Sequence, residues 1–316
     1  RKFFFGKDGD ITWVKRKLKK DLNNYQHLNI DIRNFTKLEK IFKKYKRNIK
    51  VIIHAAAQPS HDWAYKNPHL DFKINAEGTL NLLENTKKYS SKAVFIFLST
   101  NKVYGDGPNK IKYLNLNSRF ELKKKHKYFN GINENFSIDN CVHSLFGVSK
   151  SYADLICQEY GKNLKLSVGI FRAGCITGPK HKGAKLHGFL SYLVKTIIRR
   201  KRYNIIGYDG KQVRDNIHSK DLIKCFWEFY KKPKKGEVYN IGGGRFSNCS
   251  VLEAIRIVEN KLNFKAKTKK IKRNRIGDHK WYISDTSKFK KHYPKWKQTY
   301  NVKKIINEII NEEKQN

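Results

Sequence analysis

A long apolar run that ends in polar residues is the feature of this sequence that most constrains the fold. Ala93–Thr100 reads AVFIFLST, and NKVYG follows it up to Gly105. A strand buried on both faces of a parallel sheet has this character, although a buried helix segment can show the same run. Polar side chains at the carboxyl end of such a strand lie where open α/β sheets bind ligands. The run therefore predicts a ligand site that begins at Ser99 and Thr100.

A second stretch, HSLFGVSK at His143–Lys150, opens a helical pattern that continues as SYADLICQEYGKNL. Phe146 and Lys150 are four residues apart, so a helix places them on one face. We interpret this face and the end of the apolar run together as the candidate site.

Strand patterns alternate with helical patterns through the first half of the chain. The predicted strands are Tyr25–Asp31, Val51–Ala57, Ala93–Thr100 and Leu166–Ile176. This alternation indicates βαβ units and a parallel sheet. We predict an α/β fold with a Rossmann-like, doubly wound parallel sheet and a smaller α/β substrate lobe. Residues 1–177, with 213–245 interleaved, would form the sheet domain, and residues 178–316 the smaller lobe. The motif SVLE at Ser250–Glu253 predicts a capping box that opens a helix.

Composition limits the classes of function. The 68 Lys and Arg residues against 27 Asp and Glu give a net charge of +41. Such a charge can indicate nucleic-acid binding. Here the basic clusters are spread along the chain instead of forming one arm, so we interpret them mainly as solvated surface. No run is long enough to span a bilayer. The five cysteines show no zinc-site spacing and are odd in number, which fits a reduced, cytoplasmic compartment and no metal.

Three segments carry a resemblance to a known family. STNKVYGD (Ser99–Asp106), HSLFGVSK (His143–Lys150) and GKQVRDNIH (Gly210–His218) resemble segments of the extended short-chain dehydrogenase/reductases that act on nucleotide sugars. The similarity runs from about Asp31 to about Trp296. Within the family, these segments are similar to enzymes that invert C2 of a CDP-linked 3,6-dideoxyhexose. The resemblance implies an NAD-binding sheet domain, a nucleotide-sugar-binding lobe, a CDP-sugar substrate, a homo-oligomer, and neither a membrane nor a nucleic-acid partner.

The resemblance also implies roles for individual residues. The catalytic positions are Thr100, which would hydrogen-bond the sugar hydroxyl that is oxidised, and Lys150, which would also bind the nicotinamide ribose. The other positions implied to contact NAD are Asp31, Ile32, His54, Ala55, Ala56, Asn75 and Ser99. The positions implied to contact the substrate are Asn101, Leu186, Arg214, Arg275 and Asp278. Asn101 and Lys102 replace the Asp–Glu pair of the family's dehydratases, which argues against elimination.

Two departures from the family pattern are evident. Phe146 occupies the position of the catalytic tyrosine, so a substitute acid or base is expected; His143 is our candidate, and Cys175 is the alternative. A strand followed by G-x-G-x-x-G and a helix is not found before Tyr25. In the enzymes that this chain resembles, that element precedes the position of Arg1, so either it lies upstream of Arg1 or this protein lacks it. Other functions therefore stay open: another sugar-nucleotide epimerase or reductase, or a non-catalytic scaffold that binds NAD(P) or RNA.

Overall fold

A computed structural model describes residues 10–184, 188–272 and 277–315. Amphipathic segments form its helices, which are α1 (Thr12–Asp21), α2 (Phe35–Tyr45), α3 (His61–Lys66), α4 (Pro68–Phe72), α5 (Gly78–Tyr89), α6 (Leu145–Lys162), α7 (Phe189–Ile198), α8 (Ser219–Lys231), α9 (Val251–Leu262), α10 (Ser287–His292) and α11 (Val302–Gln315). A π-helical turn, Lys73–Glu77, joins α4 to α5. The predicted capping box at the start of α9 is confirmed, because Ser250 and Glu253 exchange side-chain and backbone hydrogen bonds.

The strands lie in one parallel sheet and several smaller ones. In chain order they are β1 (Val51–His54), β2 (Val94–Thr100), β3 (Leu114–Asn115), β4 (Phe120–Glu121), β5 (Val168–Ala173), β6 (Cys175–Thr177), β7 (Tyr203–Ile206), β8 (Val213–His218), β9 (Glu237–Ile241), β10 (Asn248–Ser250), β11 (Thr268–Ile271) and β12 (Trp281–Tyr282). The main sheet has the order β1-β2-β5-β9, and all its pairs are parallel. The predicted Rossmann-like fold with a parallel sheet is thus confirmed.

Strand β2 is buried on both faces, which explains its unbroken apolar sequence. Phe95 and Phe97 pack on one side against a cluster that includes residues of α2, α5 and α6. Val94 and Ile96 pack on the other side against residues of α8 and α10. Since successive side chains of a strand point to opposite faces, a strand covered on both sides has no position for a polar residue until it ends.

A second group of elements follows β6. Strand β8 pairs with β6, β10 and β12, and β7 pairs with β11. Helices α7, α9 and α11 share a separate hydrophobic cluster with β7. Every helix in the part of the chain that the structure describes is too short or too polar to cross a membrane.

The predicted strand Tyr25–Asp31 is wrong, because this segment has no regular structure. Within the described residues, β1 pairs only with β2, and no strand lies beyond β1 for the segment to pair with. A strand exists through its hydrogen-bonded neighbour and not through side-chain pattern alone. The predicted strand Val51–Ala57 is also shorter than expected, since it ends at His54.

A buried ion pair joins helix α6 to the main sheet. The Asp154 carboxylate accepts hydrogen bonds from Arg172 Nη2 at 2.8 Å and from Ser99 Oγ at 2.5 Å. Arg172 Nη1 also donates to the Tyr104 hydroxyl, which donates to Asn240 Oδ1 at 2.8 Å. Burial alone would lower the pKa of Arg172, but the Asp154 carboxylate outweighs burial and raises it. The network therefore holds α6 against β2 and β5 through charged groups that are almost completely buried.

Removing one partner of this ion pair should destabilise the fold strongly. We expect Asp154→Ala to lower the free energy of unfolding by about 3–5 kcal/mol, because the Arg172 charge stays buried without a counterion. Urea denaturation followed by circular dichroism measures the loss. Asp21→Ala is the control: it breaks the exposed Lys17–Asp21 pair and should cost about 0.5 kcal/mol or less. A loss below about 1 kcal/mol for Asp154→Ala would contradict the role of the pair.

Candidate active site

A cavity of about 740 Å³ lies at the carboxyl edge of the main sheet. Residues that follow β1, residues at the end of β2, and residues between β5 and β6 line it. The start of α6, residues of β7 and β8, and residues from the stretches 177–181 and 188–192 also line it. Because parallel strands end at the same edge, segments far apart in the sequence meet here.

Thr100 is the last residue of β2 and lines the cavity. Its hydroxyl accepts a hydrogen bond from the Lys102 backbone N–H at 3.3 Å, which begins the turn at Asn101–Tyr104. The hydroxyl hydrogen is directed towards Asn101 Oδ1 at 3.5 Å, a long contact that a stronger acceptor can replace. The geometry leaves Thr100 able to hydrogen-bond an oxygen placed in the cavity.

Lys150 lines the same cavity and is almost fully buried. Its Nζ donates to the Leu98 carbonyl at 3.0 Å and lies 4.2 Å from the centroid of the Phe97 ring. Burial lowers the pKa of Lys150 to about 8, although nearby acidic groups, Asp154 and Asp71 among them, oppose the change. Phe146, one helical turn earlier, also faces the cavity, as the helical spacing predicted.

Asn75 lies under the cavity and does not line it. It is buried in the π-helical turn, where Nδ2 donates to Ser149 Oγ at 3.0 Å, and its Oδ1 accepts from the Gln58 backbone N–H at 2.9 Å. It therefore ties helix α6 to the loop that follows β1. A π-helical turn is often found next to a functional site, and here it gives Asn75 both partners.

The other positions predicted to contact the cofactor fall into two groups. Ala55 lines the cavity, and Ser99 lines it while its hydroxyl donates to Asp154. His54 is directed away from the cavity, with Nε2 2.9 Å from Thr79 Oγ1; burial and the charge of Lys150 lower its pKa to about 3. Ala56 is not part of the lining.

Asp31 and Ile32 lie outside the cavity. The Asp31 carboxylate is exposed and paired with Arg33, with Nη2 2.5 Å from Oδ2. The side-chain hydrogen bond from Arg33 is the main cause that lowers the pKa of Asp31. Ile32 packs tightly against Gly78: a Cβ added to Gly78 would lie only 2.6 Å from Ile32 Cδ1. Ile32 therefore helps to hold the start of helix α5 in place by packing.

Three of the positions predicted to bind the substrate line the cavity: Asn101, Arg214 and Asp278. Arg214 Nη2 donates to Asp278 Oδ1, and Nη1 donates to the Val213 carbonyl at 2.7 Å. The guanidinium is thereby held in place beside the cavity. Leu186 and Arg275 lie outside the described residues, so their predicted roles stay predictions.

The structure does not bring His143, our candidate acid or base, into the cavity lining. Its Nε2 is 2.7 Å from the Val103 carbonyl, an acceptor, so the ring is used to hold the start of α6 on the turn after β2. Cys175, the alternative, does line the cavity. Burial raises the pKa of its thiol to about 11, which keeps it protonated at neutral pH. Neither residue fits the position of a base.

Sequence reasoning missed several polar residues of the lining: His61, Lys180 and His181. Lys102, which the sequence singled out only as a replacement, lines it too. Lys102 Nζ donates to the Gly277 carbonyl at 2.8 Å. His61 follows β1 by seven residues, so its place in a loop at the carboxyl edge of the sheet was a signal that could have identified it. The added cationic side chains make the cavity suitable for an anionic ligand.

The parallel sheet, with a cationic cavity at its carboxyl edge, defines a Rossmann-like α/β protein. The chain belongs to the NAD dependent epimerase/dehydratase family, whose model matches residues 4–242.

Individual relatives cover nearly the whole chain. CDP-paratose 2-epimerase from Salmonella typhi is 30% identical over 290 residues, which cover 90% of this chain and 81% of that protein. UDP-glucuronate 4-epimerase from Thermodesulfobacterium geofontis is 27% identical, over 97% of this chain and 85% of that protein. A crystal structure of UDP-glucuronic acid 4-epimerase from Bacillus cereus, in complex with UDP-glucuronic acid and NAD, is 25% identical with a TM-score of 0.74. It covers 96% of this chain and 87% of that one.

The lowered pKa of Lys150 gives a stability prediction with a definite sign. The unfolded chain holds the Lys150 proton up to about pH 10.5 and the folded chain only up to about pH 8. Between these values the unfolded state binds more protons, so folding becomes more favourable as the pH rises. We expect the stability of the wild type relative to Lys150→Met to increase across this window, by roughly 3 kcal/mol at most. Urea unfolding of both proteins at pH 7.5, 9 and 10.5 checks this, and a difference that is independent of pH would contradict it.

Proposed function

We propose that the protein is a CDP-paratose 2-epimerase, which converts CDP-paratose to CDP-tyvelose with NAD. One observation carries the proposal: a single cavity is lined by Thr100 and Lys150 and also by Arg214 of β8 and Asp278, which precedes β12. A hydroxyl and a buried lysine suit redox chemistry at a sugar carbon, and a fixed guanidinium suits a diphosphate. The identity to the Salmonella typhi enzyme supports the choice of nucleotide and carbon.

The residues at the cavity fit the nicotinamide half of NAD. Ala55 and Ala57 follow β1 with side chains that let a ligand approach the backbone, and Lys150 presents a buried ammonium group at the same wall. When bound, NAD would accept a hydride from a sugar carbon and return it. In our proposal Lys150 binds the ribose hydroxyls, and Thr100 holds the sugar oxygen. Within residues 10–50, the structure describes no glycine-rich turn between a strand and a helix for the diphosphate.

The chemistry of the substrate explains why a redox route is needed. C2 of the sugar has no neighbouring carbonyl, so its hydrogen is not acidic enough for direct removal. Transient oxidation to a 2-keto sugar makes C2 planar, and return of the hydride to the opposite face inverts it. Asn101 and Lys102 supply no carboxylate beside Thr100, which disfavours loss of water from the sugar.

The charge of the cavity supports a nucleotide diphosphate as the other half of the substrate. Lys102, Lys180 and Arg214 line it together with the carboxylate of Asp278. The Asp278 carboxylate accepts a hydrogen bond from Arg214 Nη2. This bond fixes the plane of the guanidinium, and with it the direction from which Arg214 can bind phosphate oxygens. Arg275, which the resemblance implies as a second diphosphate ligand, keeps that role in this proposal.

An assay of substrates tests the function. We expect the purified protein with NAD to invert C2 of CDP-paratose without net release of NADH, as followed by NMR of the product. Thr100→Val should lower kcat by about 10²–10⁴-fold, because the polar partner of the reacting oxygen is lost. Binding of CDP, measured by calorimetry, is the control and should not change.

Other outcomes of the same assay separate the alternatives. Inversion of C4 in UDP-glucose or UDP-glucuronic acid, with CDP-paratose unchanged, would make the protein a different epimerase of this family. No turnover of any of these sugars, together with RNA binding that weakens steeply with salt, would favour a basic binding scaffold.

We also propose that the protein is a homodimer. Helix α6 presents an exposed apolar stripe with helical spacing, formed by Leu145, Val148, Tyr152 and Leu155, which are 36–52% exposed. Phe72 from α4 lies beside it, with its ring 5.7 Å from that of Tyr152. A contiguous apolar patch of this kind on a helix is typical of a subunit interface.

A charge placed in this stripe should separate the subunits. We expect Val148→Glu to convert the dimer to a monomer in analytical ultracentrifugation, because the carboxylate would be buried without a partner. Ile223→Glu is the matched control. Ile223 is 57% exposed on α8, and its substitution should leave the dimer intact. A wild-type protein that sediments as a monomer would contradict the proposal.

A further inference from the structure

Phe146 leaves the reaction without a phenol to move the proton of the sugar hydroxyl. Its ring faces the cavity one turn before Lys150, but it has no atom that accepts or donates a proton. If the proposed function holds, another side chain at this wall must do so. Two criteria select the residue: it must line the cavity, and it must lie next to Phe146, where the phenol would be.

We propose that His61 is the catalytic acid and base of this protein. His61 is the first residue of α3, lines the cavity, and contacts Phe146 edge to face, with ring centroids 5.0 Å apart. Imidazole exchanges a proton near neutral pH more readily than any other side chain. The inference rests on the proposed function and specifies how its proton moves.

The ring of His61 is held along its Nδ1 edge. Nδ1 is 2.6 Å from the hydroxyl oxygen of Ser144, the residue that caps α6. That oxygen also accepts the Gly147 backbone N–H at 3.1 Å. Gly277, with φ of +70°, lies against the same edge of the ring, since a Cβ there would be 3.1 Å from His61 Cε1 and 3.2 Å from His61 Nδ1. In the tautomer that donates from Nδ1 to Ser144, Nε2 is the atom that takes up a proton.

The loop that carries His61 is anchored by buried polar groups. Gln58 Nε2 donates to the Ser60 carbonyl at 2.9 Å and to Asp71 Oδ1 at 2.6 Å. The Gln58 backbone N–H donates to Asn75 Oδ1, so the Asn75 network holds both this loop and α6. His61 and Lys150 are therefore positioned by one network, although they lie on different elements.

In the proposed step, His61 Nε2 forms a bond to the hydroxyl proton at C2 of the sugar as the O–H bond breaks. The electron pair of the O–H bond becomes the second C–O bond as the C2–H pair leaves with the hydride, which NAD, when bound beside Ala55 and Lys150, would accept. On return of the hydride to the other face, His61 gives the same proton back to the oxygen. The sugar and His61 then have their original protons, and no other reactant is consumed.

The other groups of this wall are less suitable. Cys175 is held protonated by burial, and Lys102 donates to the Gly277 carbonyl. His181 belongs to the loop before α7, and its ring lies so close to Gly188 that a Cβ there would be 2.5 Å from His181 Cε1.

Kinetics of three variants test the role of His61. His61→Gln should lower kcat for C2 inversion by at least about 100-fold and leave KM within about threefold, because the proton carrier is lost and the binding groups stay. His69→Gln, an exposed histidine on α4, is the matched control and should behave as the wild type. Adding Phe146→Tyr to His61→Gln should raise kcat at least about tenfold above that of His61→Gln alone, because a phenol then lies one helical turn from Lys150. If His61 had only a structural role, the added phenol would not raise kcat.

A chemical measurement tests the position of His61 without turnover. Diethyl pyrocarbonate should modify His61 in the wild-type protein, and CDP-paratose should block this modification but not that of His69, as read by mass spectrometry of peptides. His61→Gln with wild-type kcat, or His61 labelling unaffected by saturating CDP-paratose, would overturn the role of His61 and leave the proposed function standing. A wild-type protein that inverts no C2 centre would overturn the proposed function itself.

Discussion

The parallel pairing of β2 between β1 and β5 is the constraint on which the rest of the structure depends. Since the three strands run in one direction, their carboxyl ends meet at one edge, and the polar residues that follow them line one cavity. An apolar strand covered on both faces cannot slip by one residue without burying Ser99 and Thr100 differently, so the register fixes where the hydroxyl of Thr100 lies. The register pairs Thr100 with Ala173, whose small side chain leaves room beside the hydroxyl.

Two buried cations near this edge of the sheet, Arg172 and Lys150, differ in how their charge is compensated. Arg172 forms an ion pair with the Asp154 carboxylate. This ion pair keeps Arg172 protonated and holds α6 against the sheet. Lys150 Nζ donates to the Leu98 carbonyl and lies over a ring face, and burial outweighs the opposing charges of Asp154 and Asp71 and lowers its pKa to about 8. The first arrangement stabilises the structure. The second costs stability and leaves an ammonium group available to a ligand, which is the balance expected of a functional group.

The Asn75 network links these features to the proposed chemistry. Asn75, Gln58, Asp71 and Ser149 satisfy each other with little help from water, and they lie between the loop after β1 and helix α6. Polar groups that are buried and fully bonded specify one arrangement of the elements that carry them. The loop after β1 and helix α6, which lead to His61 and carry Lys150, are therefore set relative to each other by hydrogen bonds and not only by apolar packing.

The sequence by itself determined the elements whose signals are local. The unbroken run at β2, the helical spacing of Phe146 and Lys150, and the capping box at Ser250 depend on neighbouring residues, and all are found as predicted. The tertiary structure decided the rest. Tyr25–Asp31 has strand-like residues but no strand to pair with, and His143 is near Phe146 in sequence but bonded to the Val103 carbonyl. His61 is 85 positions from Phe146 and contacts it only because parallel strands bring the loops after β1 and β2 to one edge. Contacts between distant segments are set by strand pairing, which no local pattern of side chains encodes.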